Sequence, residues 1–300
     1  MRDVSETPRL RDGYEALLLD LDGTLYRGPA VVEGGPVALT DGKQQLVYVT
    51  NNASRAATAV AAHLADLGYP AEESDVVTSA QAAGRLLAER LTPGAAVLVV
   101  GTEDLAAEVA AAGLRPVRTA SETVAAVVQG HSPQTAWPDL AEASYALRAG
   151  AVWVAANTDR TLPNERGLAP GNGAMVAALR AASDREPVVA GKPYPPLLDD
   201  ALRRAGTRAA LVVGDRLDTD IDGALNVELD SLLVLTGVST LEELAGVPAD
   251  RWPTYIAESL DALNREPLPA ASGDVDAVRR ELGAHRGRAL RVRAPRSEIR

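Results

Sequence analysis

Short apolar runs alternate with alanine-rich amphipathic stretches along most of the chain. The pattern predicts strands at Leu17–Leu21, Leu46–Thr50, Val97–Val100, Val124–Gln129, Val152–Ala155, Leu211–Val213 and Leu232–Leu235. It predicts helices at Ala56–Leu67, Ala80–Glu89, Leu105–Ala112, Leu140–Ala149, Met175–Ala182 and Pro196–Ala205. Such alternation is typical of parallel sheets covered by helices, and continuous runs such as LLLDL and SLLVLTG favour strands buried on both faces. The predicted fold class is therefore α/β.

Polar side chains follow several of these apolar runs at the point where each run stops. They are Asp20 and Asp22, then Thr50, Asn51 and Asn52, then Lys192 in VVAGKPY, and finally Asp215, Asp218 and Asp220. Taken singly, each is most simply a turn, a helix cap or a solvated surface residue. Because ligands bind outside the carboxyl ends of parallel strands, their joint placement indicates one site.

Composition narrows the function classes. The 300 residues carry a formal net charge of -11, which disfavours binding to nucleic acid or to anionic membranes. The chain has no cysteine, which excludes disulfides, thiolate metal sites and cysteine nucleophiles. The N-terminal stretch MRDVSETPRL lacks an apolar signal-peptide core, and no apolar run reaches transmembrane length. We therefore expect a cytoplasmic protein with no nucleic-acid or membrane partner.

The clustered aspartates point to phosphoryl transfer. Carboxylates brought together repel one another unless a hard divalent cation neutralises them, and oxygen ligands suit Mg²⁺. We expect Asp20, Asp215 and the main-chain carbonyl of Asp22 to bind the metal. Asp20 is then the expected nucleophile, which forms an aspartyl-phosphate, and Asp22 the general acid and base.

The remaining polar residues are assigned to the phosphate and to the metal. Lys192 and Thr50, with Asn51 and Asn52 after the second predicted strand, are expected to bind phosphate oxygens. Gly23 is expected to let the backbone come close. Asp220 is expected to orient the residues around the metal.

Four segments in this order resemble known motifs. DLDGTLYRG, VTNNASR, AGKPYP and VVGDRLDTDIDGA are similar to the first to fourth motifs of the haloacid-dehalogenase superfamily of phosphatases. The forms TNN and GKP resemble its nitrophenylphosphatase and NagD subfamily. Several segments, DVVTSAQAA and RAGAVWVAAN among them, resemble bacterial glycerol 3-phosphate phosphatases. The resemblance implies a Mg²⁺-dependent phosphatase of a small phosphate monoester, with glycerol 3-phosphate as the expected substrate.

The resemblance also implies a domain organisation. We expect a Rossmann-like parallel sheet core over residues 14–79 and 188–264, with an inserted α/β cap domain over residues 80–187. A homo-oligomer formed through the cap is an open expectation. The Arg-rich segment 265–300 is expected to be disordered or loosely docked on the acidic body, with a small C-terminal domain as the alternative.

Alternative substrates and functions stay open, and one position departs from the family pattern. Pyridoxal phosphate, phosphoglycolate or a nucleotide are alternative substrates, and a phosphotransferase, a mutase or a non-catalytic metabolite-binding protein are alternative functions. In the cap, His131 is a candidate substrate ligand, with a satisfied or exposed histidine as the competing interpretation. Trp137 and Leu162 are candidates for shaping the pocket, with ordinary surface or core packing as the alternative. Glu228 stands where the family usually has a helix-ending glycine, so we expect a strained turn there.

Overall fold

The computed structural model describes residues 8–120, 123–164, 166–269 and 274–295. Its strands are β1 Ala16–Leu19, β2 Tyr26–Arg27, β3 Ala30–Val31, β4 Gln45–Thr50, β5 Val76–Thr78, β6 Ala96–Val100, β7 Arg115–Val117, β8 Ala126–Gln129, β9 Val152–Ala155, β10 Thr161–Asn164, β11 Gly167–Pro170, β12 Val188–Val189, β13 Ala210–Gly214, β14 Asp230–Val234, β15 Tyr255–Ala257 and β16 Leu290–Arg291. Each strand expected from the apolar runs is present within two residues of its predicted bounds.

The helices likewise follow the predicted pattern. They are α1 Gly35–Thr40, α2 Ala57–Asp66, α3 Ser79–Ala88, α4 Glu103–Ala111, α5 Trp137–Arg148, α6 Asn172–Ser183, α7 Pro195–Ala205, α8 Asp222–Asn226, α9 Leu241–Ala245 and α10 Val275–Ala284. The alternation of helices with mostly parallel strands confirms the predicted α/β class. Among the described residues, no helix has the length and apolar character that crossing a bilayer requires.

The chain divides into two compact units. The first comprises Met1–Val49, Ala61–Asp75 and Ala201–Arg300, and the second comprises Thr50–Val60 and Val76–Asp200. The predicted domain boundaries, 14–79 with 188–264 for the core and 80–187 for the cap, stay predictions.

In the first unit, neighbouring strands follow the order β16-β15-β14-β13-β1-β4. β1 lies between β13 and β4 and is parallel to both, with Leu19 opposite Val213 on one side and Tyr48 on the other. All four residues of β1 are buried. Because β1 and β13 run side by side in the same direction, the residues that follow them emerge at the same edge of the sheet.

The second unit contains a five-stranded parallel sheet with the order β12-β9-β8-β6-β7. One face of this sheet packs against α5 and α6 around Leu147, Trp153 and Leu179. The antiparallel hairpin β10–β11 belongs to the same unit and is largely exposed.

The C-terminal segment, expected to be disordered or loosely docked, is described over residues 274–295. There β16 pairs antiparallel with β15, and Val278, Leu282 and Leu290 are buried in one cluster with Trp252 and Ile256. Val278 and Leu282, one helical turn apart, and Leu290 in β16 provide the buried apolar surface of this segment. The arginine-rich composition did not indicate it. Residues 296–300, the end of the expected tail, lie outside the described residues.

The turn after α8 has the expected conformation. Glu228 takes φ 58°, the left-handed region that favours glycine, and its side chain is exposed. The N–H of Leu229 donates to the carbonyl of Ala224 at 2.8 Å, which closes the end of the helix. Glu228 therefore takes the left-handed conformation of a helix-ending glycine, and the strain expected there stays a prediction.

Candidate active site

Three aspartates of the first unit bring their carboxylates together. Asp20 directly follows β1 and Asp215 directly follows β13, while Asp220 lies in a π-helical turn, Leu217–Ile221. One oxygen from each of the three lies within 4.8 Å of the others. Asp215 and Asp220 are buried and Asp20 is half-buried. This donor set, carboxylate oxygens in a small space, fits Mg²⁺, and a divalent cation would remove the repulsion among the three charges.

The π-helical turn explains why Asp220 belongs to this group. The N–H groups of Asp220 and Ile221 both donate to the carbonyl of Arg216, at 3.1 and 3.2 Å, and the N–H of Arg216 donates to Asp220 Oδ2 at 3.1 Å. Asp218, in the same turn, instead accepts two hydrogen bonds from the Arg216 guanidinium, at 2.9 and 2.8 Å. The sequence predicted an orienting role for Asp220. The structure places its carboxylate among the candidate metal ligands themselves.

Hydrogen bonds hold the carboxylate of Asp215 in place. The N–H of Val238 donates to Asp215 Oδ2 at 2.7 Å. The hydroxyl of Thr24 lies 3.3 Å from Asp20 Oδ2 and 3.5 Å from Asp215 Oδ1, so it bridges the two carboxylates. Sequence reasoning missed both residues. The position of Thr24, four residues after Asp20, could have indicated its contact with the carboxylate. Nothing in the sequence indicates the contact of the Val238 backbone N–H.

Glycines make room for these carboxylates. Gly23 takes φ 91°, and a Cβ at that position would overlap the carboxylate of Asp215. A Cβ on Gly237 would also overlap Asp215, and a Cβ on Gly214 would overlap Asp220. Gly23 was expected to let the backbone come close to the phosphate, which stays a prediction; the structure shows its backbone against the carboxylate of Asp215. Gly214 and Gly237 were missed, although each stands next to an apolar strand run.

Asp22 lies two residues after Asp20, and its side chain is not one of the three clustered carboxylates. Desolvation raises the pKa of Asp22, although the residue is exposed to solvent, and a hydrogen bond from the backbone of Gly28 opposes that shift. A carboxyl group with a raised pKa is suited to donate a proton. The geometry is compatible with the predicted acid and base role.

In the second unit, the structure brings Asn51 and Lys192 together. Lys192 is 3% exposed. Its N–H donates to Asn51 Oδ1 at 2.8 Å, and Asn51 Nδ2 donates to its carbonyl at 3.1 Å. Sequence reasoning placed both residues in one site but had no signal for these hydrogen bonds.

Thr50 and Asn52 shape the loop after β4. The N–H of Asn52 donates to Thr50 Oγ1 at 3.0 Å, and the N–H of Ser54 donates to Asn52 Oδ1 at 2.7 Å. The Asn52 side chain thus forms a local turn with its own backbone. The phosphate-binding roles of Thr50, Asn51, Asn52 and Lys192 stay predictions.

The candidates in the cap have different surroundings. Trp137 is 75% exposed at the start of α5, and Leu162 is 40% exposed in β10. His131 is half-buried, which lowers its pKa, and its carbonyl accepts a hydrogen bond from Ser54 Oγ at 2.8 Å.

Two family models match the chain. Haloacid dehalogenase-like hydrolase matches residues 17–115, which include Asp20 and Asp22. HAD-hydrolase-like matches residues 189–263, which include Lys192 and Asp215.

Curated relatives and solved structures resemble the chain over most of its length. The D-glycerol 3-phosphate phosphatase of Mycobacterium tuberculosis is 56% identical over 253 residues, which cover 84% of this chain and 72% of that protein. The acid sugar phosphatase of Staphylococcus saprophyticus is 36% identical over 260 residues, which cover 84% of this chain and 98% of that protein. A crystal structure of a glycerol phosphate phosphatase from Mycobacterium tuberculosis in complex with magnesium superposes with a TM-score of 0.85 at 54% identity, covering 87% of this chain and 79% of that chain.

Proposed function

The chain belongs to the haloacid dehalogenase-like hydrolases, and we propose that it is a Mg²⁺-dependent phosphatase that hydrolyses glycerol 3-phosphate. The observation that carries the proposal is the group of three carboxylates: Asp20 and Asp215 directly follow adjacent strands, and Asp220 lies in the π-helical turn. The 56% identity to a D-glycerol 3-phosphate phosphatase supports the choice of substrate.

Asp20, Asp215 and Asp220 would hold Mg²⁺, with the main-chain carbonyl of Asp22 as a further candidate ligand. When bound, the cation neutralises the clustered carboxylates and polarises a phosphate oxygen. The three side chains are placed for this by the ends of β1 and β13 and by the π-helical turn.

The chemistry proceeds in two displacements. A carboxylate oxygen of Asp20 attacks phosphorus, the bond from phosphorus to the ester oxygen breaks, and the leaving alcohol takes a proton from Asp22. A water molecule then gives a proton to Asp22 and attacks the phosphorus of the aspartyl-phosphate. The bond from phosphorus to Asp20 breaks, inorganic phosphate leaves, and both aspartates return to their starting states.

Thr50 and Lys192 are proposed to bind the phosphate oxygens that do not react. This assignment rests on the TNN and GKP motifs. An acid at position 22 favours an alcohol leaving group, which supports a phosphatase. We also propose that the protein works in the cytoplasm, in keeping with its lack of cysteine, and that it forms a homo-oligomer through the cap.

A panel of phosphate metabolites tests the proposal, with release of inorganic phosphate measured with and without Mg²⁺. We expect glycerol 3-phosphate to rank at the top, with turnover that depends on the metal. If pyridoxal phosphate, phosphoglycolate or a nucleotide ranks far above it, the substrate assignment is wrong. If no ester releases phosphate, the phosphatase assignment fails as well.

A further inference from the structure

We propose that Asn51 is a positioning residue, which fixes the backbone of Lys192 and thereby sets where the lysine ammonium group meets a phosphate. This proposal rests on the proposed function, because Lys192 is taken to be a phosphate-binding residue. It changes the expectation for the Asn51 side chain, which the sequence suggested was itself a phosphate ligand.

Two hydrogen bonds join the side-chain amide of Asn51 to the backbone of Lys192, in the same way as two residues of neighbouring strands are joined. Asn51 Oδ1 accepts from the N–H of Lys192 at 2.8 Å, and Asn51 Nδ2 donates to the carbonyl of the same residue at 3.1 Å. Lys192 lies beyond β12, which ends at Val189. The side-chain amide of Asn51 therefore makes the two hydrogen bonds with the backbone of Lys192 that a neighbouring strand would make if Lys192 belonged to β12.

Both N–H hydrogens of the Asn51 side-chain amide are donated within the protein. An amide nitrogen has two hydrogens. Asn51 Nδ2 donates to the Lys192 carbonyl and also to Asp159 Oδ2, at 3.3 Å. With both hydrogens donated inside the protein, the side chain has none left for a phosphate oxygen, and its two hydrogen bonds with the backbone of Lys192 are the link to phosphate that we propose.

Asn51 is itself held by neighbours. The main-chain carbonyl of Asn51 accepts hydrogen bonds from Ser79 Oγ at 2.5 Å and from Asn157 Nδ2 at 2.7 Å. The carbonyl of Asn157 accepts in turn from Asn172 Nδ2 at 2.6 Å, and Asn172 is the first residue of α6. A chain of asparagine amides thus connects the start of α6 to Lys192.

Gly191 gives independent support for a tightly built contact. A Cβ at this position would lie 2.5 Å from Asn51 Oδ1 and 2.7 Å from the carbonyl oxygen of Ala156. Position 191 therefore has no room for a side chain, and the backbone of Gly191 lies against the side-chain amide of Asn51.

A lysine needs such an anchor because of its chemistry. Its ammonium group is a compact charge on a flexible stem, so the direction of the stem depends on where the backbone is held. A displacement of about 1 Å in a positioning element can lower a rate by about 100-fold. Fixing both backbone polar groups of Lys192 limits that displacement.

A double-mutant cycle in the full chain tests the proposal. The variants are Asn51→Ala, Lys192→Ala and the two together, and two quantities are measured: kcat/KM for glycerol 3-phosphate and the affinity for inorganic phosphate by calorimetry. We expect Asn51→Ala to lower both by about tenfold or more. In the Lys192→Ala background, the same substitution is expected to change them less than about twofold, since residues that act through one another are not additive.

Two further variants test the contact and the fold separately. Asn51→Asp keeps an oxygen that can accept from the Lys192 N–H but turns Nδ2 into an oxygen that faces Asp159 Oδ2 and the Lys192 carbonyl, so it should lose at least as much phosphate affinity as Asn51→Ala. Asn264→Ala removes a different asparagine, which donates to the Ala38 carbonyl at 2.9 Å and accepts from Arg11 at 3.1 Å. We expect it to lower the melting temperature and leave kcat/KM unchanged.

The outcomes distinguish this proposal from the proposed function. If the losses from Asn51→Ala and Lys192→Ala multiply, Asn51 acts independently of Lys192 and the positioning role is wrong, while the phosphatase assignment stands. If Lys192→Ala alone changes neither quantity, the phosphate-binding role of Lys192 fails and the positioning role fails with it. If the unmodified protein releases phosphate from no ester but binds inorganic phosphate, the affinity cycle still decides the role of Asn51. If it does neither, both proposals are overturned.

Discussion

The backbone of Gly23 lies directly against the carboxylate of Asp215, so that a Cβ on Gly23 would overlap the carboxylate oxygens. Gly23 also takes φ 91°, which side chains rarely adopt. Gly23→Ala is therefore expected to displace Asp215 and to lower kcat/KM for phosphate release by at least about tenfold, or about 1.4 kcal/mol.

Gly206→Ala is the matched control for this prediction. Gly206, which follows α7, also has a positive φ, 65°, but nothing lies within 4 Å of a Cβ built there. Both variants should lose stability from backbone strain, of about 1 kcal/mol, and Gly23→Ala alone should lose activity. Equal losses of activity would show that strain, and not the contact with Asp215, is responsible.

Asp220→Asn should weaken the affinity of the site for Mg²⁺. Asp220 contributes one of the three clustered carboxylates, and an amide is a poorer ligand for a hard cation. We expect the Mg²⁺ concentration for half-maximal activity to rise by about tenfold or more, with activity recovering at high Mg²⁺, since ligand charge count tunes affinity.

Asp218→Asn serves as the comparison for Asp220→Asn. Asp218 belongs to the same π-helical turn but pairs with the guanidinium of Arg216. Its substitution is expected to leave the Mg²⁺ dependence unchanged. If both variants shift the Mg²⁺ dependence alike, Asp220 acts through the charge of the turn as a whole and not as a ligand.

The fold and part of the site follow from the sequence for identifiable reasons. Parallel strands leave apolar runs with no alternation, so β1 and β13 and the adjacency of Asp20 and Asp215 were predictable. The place of Asp220 was not, because it depends on a π-helical turn that leaves no periodic signal. The sequence placed Asn51 and Lys192 in one site, but their hydrogen bonds were not predictable, because no periodic pattern shows which backbone groups a loop side chain contacts.

Asp22→Asn should affect substrates according to their leaving groups. If Asp22 protonates the departing alcohol, its loss matters most for a poor leaving group such as an alkyl alcohol. We expect the loss in kcat/KM for glycerol 3-phosphate to exceed the loss for 4-nitrophenyl phosphate by about tenfold or more, within the usual range for general acid catalysis. Equal losses on both substrates would assign Asp22 a role other than proton donor to the leaving group.

Glu228→Gly should stabilise the protein. Glu228 has φ 58° and an exposed side chain, so glycine relieves backbone strain without leaving a cavity. We expect a gain of about 1 kcal/mol in the free energy of unfolding, measured by urea denaturation. Asp184, which ends α6 with the same φ of 58°, is the control. Because aspartate tolerates this region better than glutamate, Asp184→Gly should gain less.

Leu282→Ala tests whether the C-terminal segment is part of the fold. Leu282 is 3% exposed and lies in one cluster with Trp252, Ile256 and Leu290. Removing a buried leucine side chain of this kind costs about 2–5 kcal/mol of stability. We expect a loss in this range for Leu282→Ala, measured by urea denaturation, and a change within about 0.5 kcal/mol for Arg286→Ala, whose side chain is exposed. A loss below about 0.5 kcal/mol for Leu282→Ala would instead mean that α10 is docked loosely, as its arginine-rich composition first suggested.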